Sequence, residues 1–152
     1  MKILALDLGT NMGFAMNGEG GSIMSGTMNY KFDARYEGGG MRYVRFKKWL
    51  NEIKDFDFDM VVFEEVRRHA GTTAAHVYGG FMAVLTEWCE EQEMPYSGVA
   101  VGAIKKFATG KGNANKQAMI DAVRSWGFEP VDDNEADAIA ILTLTLTDHG
   151  EA

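Results

Sequence analysis

Residues Ile3 to Leu6 form an uninterrupted apolar run that stops at Asp7 and is followed closely by Gly9 and Gly13. A run this short, closed by turn-forming residues, predicts a strand buried on both faces, a glycine-containing turn and the start of a second strand. It commits the chain to a sheet covered by helices, and it leaves a carboxylate at the carboxyl end of the first strand. The loose alternation of residues 20–31 after a Gly-Gly turn predicts a third strand, so that the first three form an antiparallel meander. Beyond the glycines at 38–40, Phe46, Trp49, Leu50 and Ile53 recur at helical spacing and predict an amphipathic helix over the sheet. Residues 59–66 read as a fourth, buried strand ending in acids. Residues 72–92 read as a helix in which Gly79 and Gly80 allow a neighbour to approach closely. Residues 95–101 predict the fifth strand, and 113–126 a helix stopped by Gly127. A last helix starts near Asp132, which has capping-box spacing to Glu135; the alternating LTLTLT at 142–147 also suits a strand. The predicted fold class is α/β, a mixed five-stranded sheet flanked by helices, in a single domain over residues 1–152 without internal repeat or linker.

Composition narrows the function. With 46% hydrophobic and 24% charged residues the chain has an ordinary globular make-up, which excludes disorder. No apolar run reaches the ~18 residues of a membrane span. Asp7 also interrupts the segment where a signal peptide carries its apolar core, so a cytoplasmic protein with no membrane partner is expected. The lone Cys89 excludes an internal disulfide and a thiolate zinc site, and reads as a small core residue. The 15 Lys and Arg against 22 Asp and Glu give a net charge of -7, which argues against non-specific coating of nucleic acid. A polyanion could be held only by local basic clusters or by metal ions on carboxylates.

Both devices are visible. Asp7, Glu64 at the end of the fourth strand and Asp137 in the first turns of the last helix could converge if strands one and four are neighbours. Hard cations such as Mg²⁺ take oxygen ligands and keep several waters, so a few carboxylates from separate elements make a sufficient site. Two such ions ~3.5–4 Å apart can activate water and stabilise a leaving oxygen in phosphodiester cleavage. Glu65 competes with Glu64, but successive strand residues face opposite sides, so only one can enter the site and Glu64 is preferred. Between Val101 and Arg124, Lys105, Lys106, Lys111, Lys116 and Arg124 stand against the single acid Asp121. The segment ATGKGN lacks the spacing of a nucleotide P-loop, so no nucleotide cofactor is expected.

The blocks ALDLGTNMGFAM, VVFEEV, VGAIKKFATGKGNANKQAMIDAV and NEADAIAIL, in that order, resemble four successive blocks of the RuvC family of Holliday-junction resolvases. RRHAGT and AHVYGG are most similar to its phage-borne branch, which implies a bacterial or phage-infected cytoplasm. The resemblance implies a ribonuclease H-like fold, and a homodimer that nicks two strands of branched DNA with two Mg²⁺ or, in their place, Mn²⁺. It places the family's acids on Asp7, Glu64 and Asp137 and its catalytic lysines on Lys105 and Lys116. The family's acid or His three residues before the last acid falls on Asn134. The amide oxygen of Asn134 could still ligate a cation, or Asp133, one turn from Asp137, could supply the charge. Arg67, Arg68 and His69 fall where the family contacts the junction, with Arg67 in the place of an aromatic wedge. Lys106 and Lys111 extend the basic surface for DNA. His76, like His69, is either a ligand or acid–base group or a plain polar contact. The LDLGT turn also occurs in YqgF-like RNA nucleases and actin-like phosphotransferases, but the latter need two such domains. Asn134 leaves room for a non-cleaving scaffold that binds branched DNA.

Overall fold

The opening apolar run becomes the middle strand of a five-stranded sheet, in a computed structural model that describes residues 1–151. The strands are β1 (Ile3–Asp7), β2 (Asn11–Asn17), β3 (Ile23–Asn29), β4 (Met60–Glu65) and β5 (Tyr96–Ala100). The helices are α1 (Met41–Ile53), α2 (Thr72–Glu91), α3 (Val101–Thr109), α4 (Lys116–Ser125) and α5 (Asp133–Asp148). The strand order is β3-β2-β1-β4-β5. The first three strands form the expected antiparallel meander, and β4 and β5 run parallel to β1, so the sheet is mixed.

Alternation along the strands builds two cores. Leu4, Leu6, Val61 and Phe63 face α1 and α2, where Phe46, Leu50, Phe81, Leu85 and Trp88 are buried. Ile3, Ala5 and Val62 face the other side, against Ile104, Met119, Val123 and the α5 residues Ile139 and Leu142. Each large apolar side chain buried there contributes ~1.5–3 kcal/mol before the entropy of ordering it is counted. Cys89 is buried, as expected of a core thiol. Trp49 and Trp88 are buried too, whereas Trp126 is half-buried at the end of α4 beside Phe107.

Four local expectations change. Gly13 lies inside β2 rather than in the turn, which Gly9 and Thr10 make. The fifth strand ends at Ala100 rather than 101, and residues 101–109, of which the sequence assigns 102–109 to no element, form α3 directly after it. The next helix starts at Lys116 rather than 113, because the Asn115 side chain accepts the Ala118 N–H at 2.9 Å and caps it there. LTLTLT is helical: α5 runs through it, and the hydroxyls of Thr143, Thr145 and Thr147 each donate to the carbonyl four residues back at 2.8 Å. The alternation deceived because threonine can satisfy its hydroxyl within a helix, while Leu142 and Leu146, one turn apart, supply the buried stripe. Among the described residues no helix is long and apolar enough to cross a membrane.

Of the two glycines in α2, only Gly80 serves close approach. A Cβ there would lie 2.3 Å from the Tyr43 hydroxyl and 2.4 Å from its ring, whereas one on Gly79 would meet nothing within 4 Å. Tyr43 packs edge-on against Phe81, so it cannot yield without disturbing the α1–α2 core. We expect Gly80→Ala to cost about 1–3 kcal/mol through overpacking. Gly79→Ala should instead gain roughly 0.5–1 kcal/mol of helix preference. Urea denaturation of the two variants checks this opposition of sign.

Candidate active site

The parallel pairing of β1 and β4 decides what stands at the carboxyl edge of the sheet. Its register runs Ile3 with Met60, Leu4 with Val61, Ala5 with Val62 and Leu6 with Phe63, so the next step sets Asp7 beside Glu64. Both continue the face of Ala5 and Val62, toward α5. Glu65 takes the opposite face and leans over Gly98 of β5, where an added Cβ would come within 2.9 Å of its Oε2. Alternation thus separates the two glutamates as expected.

Asp137 completes the set from α5. One carboxylate oxygen from each of Asp7, Glu64 and Asp137 lies within 4.8 Å of the others. This closeness depends on Gly13, which pairs with Asp7 across β1 and β2. The first turn of α5 rests on its bare Cα: a Cβ would fall 1.8 Å from the Asn134 carbonyl oxygen and 2.9 Å from the Glu135 nitrogen. Glu135 then fixes the helix start. Its N–H donates to Asp132 Oδ1, while its carboxylate accepts the Val131 N–H at 2.8 Å and the Ser25 hydroxyl at 2.7 Å. The capping box is therefore displaced by one residue and extended to β3, and this buried acid is fully hydrogen-bonded.

The three carboxylates crowd one another. Burial, then the negative charge and shared hydrogen bond of Glu64, then Asp137 and Asp133 hold the Asp7 carboxyl well above its usual range. Burial, Glu64 and Asp133 push Asp137 up to about 7, against the opposing pull of Lys105 and Lys116. Like charges gathered in a partly desolvated place, with oxygen donors only, fit hard divalent cations.

The same interactions locate the remaining candidates. Lys105 on α3 and Lys116 at the start of α4 both act on Asp137. Lys116 Nζ also lies 3.8 Å from Asp133 Oδ2, with both at the rim of the site. Asn134 supplies the peptide that sits on Gly13. Arg67 and Arg68 are exposed just past β4, on a cleft they share with Glu64, Val101 and Gly102, and Arg67 Nε lies 3.4 Å from Glu65. His69 is tilted against the Tyr78 ring with centroids 5.1 Å apart. Lys106 and Lys111 are exposed on α3 and the loop after it. His76 is exposed on α2 and is not among the groups gathered at the acids.

Sequence reasoning missed three residues that build the site. Gly13 looked like turn punctuation and Glu135 like an ordinary cap. Tyr78 is not singled out by the sequence, yet its hydroxyl donates to the Glu64 carbonyl at 2.7 Å and accepts the Val66 N–H at 3.2 Å.

No protein-family model and no curated protein matches the chain. Solved structures do. It is similar to Thermus thermophilus RuvC in complex with a Holliday junction substrate, at 22% identity and a TM-score of 0.77, over 99% of this chain and 95% of that one. It is similar to a second Thermus thermophilus RuvC structure at 23% identity and 0.72, over 100% and 98%. To the yeast mitochondrial Holliday junction resolvase it is 11% identical with a TM-score of 0.62, over 98% and 81%. The fold is thereby the ribonuclease H-like fold of the RuvC structures, and the likeness extends over the whole sheet and its helices.

The crowding makes stability depend on pH in a stated direction. Asp137 holds its proton up to about 7 in the folded chain, against 3.8 as its ordinary value. The stability it contributes is full below the lower value and is lost as the pH rises through the higher one. We therefore expect Asp137→Asn to melt above the wild type in EDTA, by a margin that grows from about pH 4 to about pH 8. Thermal melts across that range check it, and a margin independent of pH would contradict it.

Proposed function

We propose that the chain is a divalent-metal-dependent, structure-selective endonuclease that cuts four-way or otherwise branched DNA by phosphodiester hydrolysis. The observation that carries this reading is the convergence of Asp7, Glu64 and Asp137 within 4.8 Å at the carboxyl edge of a RuvC-like sheet. Two Mg²⁺ ions, or Mn²⁺ in their place, would supply an activated water and stabilisation of the leaving oxygen when bound there.

The chain's own groups do the rest. Asp7, Glu64 and Asp137 are the anionic donors, and Asp133 or the Asn134 amide oxygen completes the set. Lys105 and Lys116 approach from α3 and α4 and present ammonium groups to phosphate oxygens as charge develops on them. Arg67, Arg68 and His69 follow Glu64 after only two residues, so nucleic acid that meets them is brought close to the acids. Lys106 and Lys111 continue the positive surface along the backbone. Paired cuts on opposed strands call for two such sites related by a two-fold axis, hence a homodimer. A YqgF-like RNA nuclease would share the acids but prefer structured RNA, and a scaffold would bind the junction without cutting.

Single-turnover cleavage of a labelled four-way junction, beside a linear duplex and a structured RNA, separates these readings. We expect paired nicks confined to the junction with Mg²⁺ or Mn²⁺ and none in EDTA. Binding without cutting would leave the scaffold, and a preference for RNA the alternative nuclease. Asp7→Asn should abolish cleavage and keep junction binding, since it removes a metal donor and a charge that repels phosphate. Lys116→Ala should slow the cut at least about tenfold, the loss of roughly 1.4 kcal/mol of transition-state stabilisation, with the melting temperature unchanged.

A further inference from the structure

We propose that Tyr78 is a positioning residue for the metal site, whose hydroxyl stands in for a missing strand and holds the end of β4 at the geometry that Glu64 requires. The inference rests on the nuclease reading of the three acids and adds a residue to it.

In an extended chain the carbonyl of one residue and the N–H two residues on point to the same edge. At the end of β4 these groups belong to Glu64 and Val66. On the β1 side the paired register closes at Leu6 with Phe63, and β1 itself ends at Asp7. A carbonyl and an N–H left over at a half-buried strand end must find other partners. The Tyr78 hydroxyl satisfies both at once, donating to the Glu64 carbonyl at 2.7 Å and accepting from the Val66 N–H at 3.2 Å. A phenol suits the task because one oxygen both donates and accepts, and because its ring fixes that oxygen rigidly.

The ring is well anchored. Tyr78 is only 8% exposed and belongs to the core beneath α1 and α2, so α2 carries the hydroxyl to a fixed point under the strand. Its outer side meets the His69 ring at 5.1 Å. Tyr78 is thus tied both to the residue that bears the second acid and to the segment 66–69, whose exposed Arg67 and Arg68 are proposed to meet DNA. Opposed carboxylates tend to spread apart, and a site of this kind tolerates displacements of only ~0.5 Å. Without the hydroxyl, the Glu64 carbonyl and Val66 N–H are free to reorient, and the Glu64 carboxylate moves with its backbone.

Tyr78→Phe keeps the ring and its packing and removes only the oxygen. We expect a melting temperature within a few degrees of the wild type, junction affinity in EDTA unchanged, and faster hydrogen exchange at the Val66 amide. The Mn²⁺ concentration for half-maximal single-turnover cleavage should rise severalfold, and the rate at saturating Mn²⁺ should fall about tenfold, the range seen when groups that orient metal ligands are removed. Faster Val66 exchange with unchanged rate and Mn²⁺ dependence would reduce Tyr78 to a structural residue and overturn the proposal. Unchanged Val66 exchange would overturn it as well. Failure of the nuclease reading shows separately, in the wild type: a chain that neither binds Mn²⁺ in titration nor cuts the junction refutes that reading and this proposal with it. A wild type that binds Mn²⁺ without cutting still tests Tyr78, through a severalfold weaker Mn²⁺ affinity in Tyr78→Phe.

Discussion

Three carboxylates that repel one another are confined within 4.8 Å, and much of the surrounding structure can be understood as what confinement demands. The β1–β4 register brings Asp7 and Glu64 to one edge and one face, but a register alone fixes only Cα positions. The helix that brings Asp137 must approach the sheet more closely than side chains normally permit, and Gly13 permits it. The buried Glu135, held by Ser25 and Val131, then ties the start of that helix to β3 and to the preceding loop. On the other flank Tyr78 secures the end of β4. Each anchor is a polar group satisfied in a low-dielectric place, where hydrogen bonds are strong and losing one partner is costly. The two apolar cores carry the stability that such a cluster removes, as is usual where a site stores strain for function.

Charge is distributed to match. The chain is acidic overall, at -7, yet the basic residues nearest the acids sit on elements separate from them: Lys105 on α3 and Lys116 on α4. This separation keeps them from neutralising the triad outright. They moderate Asp137, and Lys116 reaches only 3.8 Å from Asp133, a distance and exposure at which an ion pair contributes little to stability. A lysine so loosely engaged remains available to a phosphate. The loop between α3 and α4 folds back on the start of α3, where Gly112 lies against Gly102, and both lysines act on Asp137.

How much of this the sequence disclosed follows from the range over which each signal acts. The apolar run at 3–6 and the helical stripe at 46–53 are periodic and local, and both elements appear where the pattern puts them. Glu64 was separable from Glu65 by alternation, a rule that operates between adjacent residues. Gly13 was misread because glycine in sequence signals a turn, whereas its use here is an approach of α5 from more than 120 residues away. Helix α3 is not legible, and Val101 reads as strand, because strand and helix meet at Ala100 without a turn residue or a capping side chain to mark the change. Tyr78 was invisible for a related reason: its ring obeys the periodicity of the core, and only three-dimensional structure shows what its oxygen touches.

The position three residues before Asp137 bears on how the site is charged. Asn134 there removes one negative charge from the arrangement expected of the resembled family, yet Asp133 adds it back one residue earlier. A shift of one residue turns a side chain by about 100° around a helix. Asp133 is accordingly near enough to raise the proton affinity of both Asp7 and Asp137, but it also meets Lys116, which none of the other three acids does at ion-pair distance. Moving the fourth charge from 134 to 133 therefore couples it to the lysine proposed to serve the phosphate. A cation held by the acids would compete with Lys116 for Asp133, and a phosphate would compete with Asp133 for Lys116.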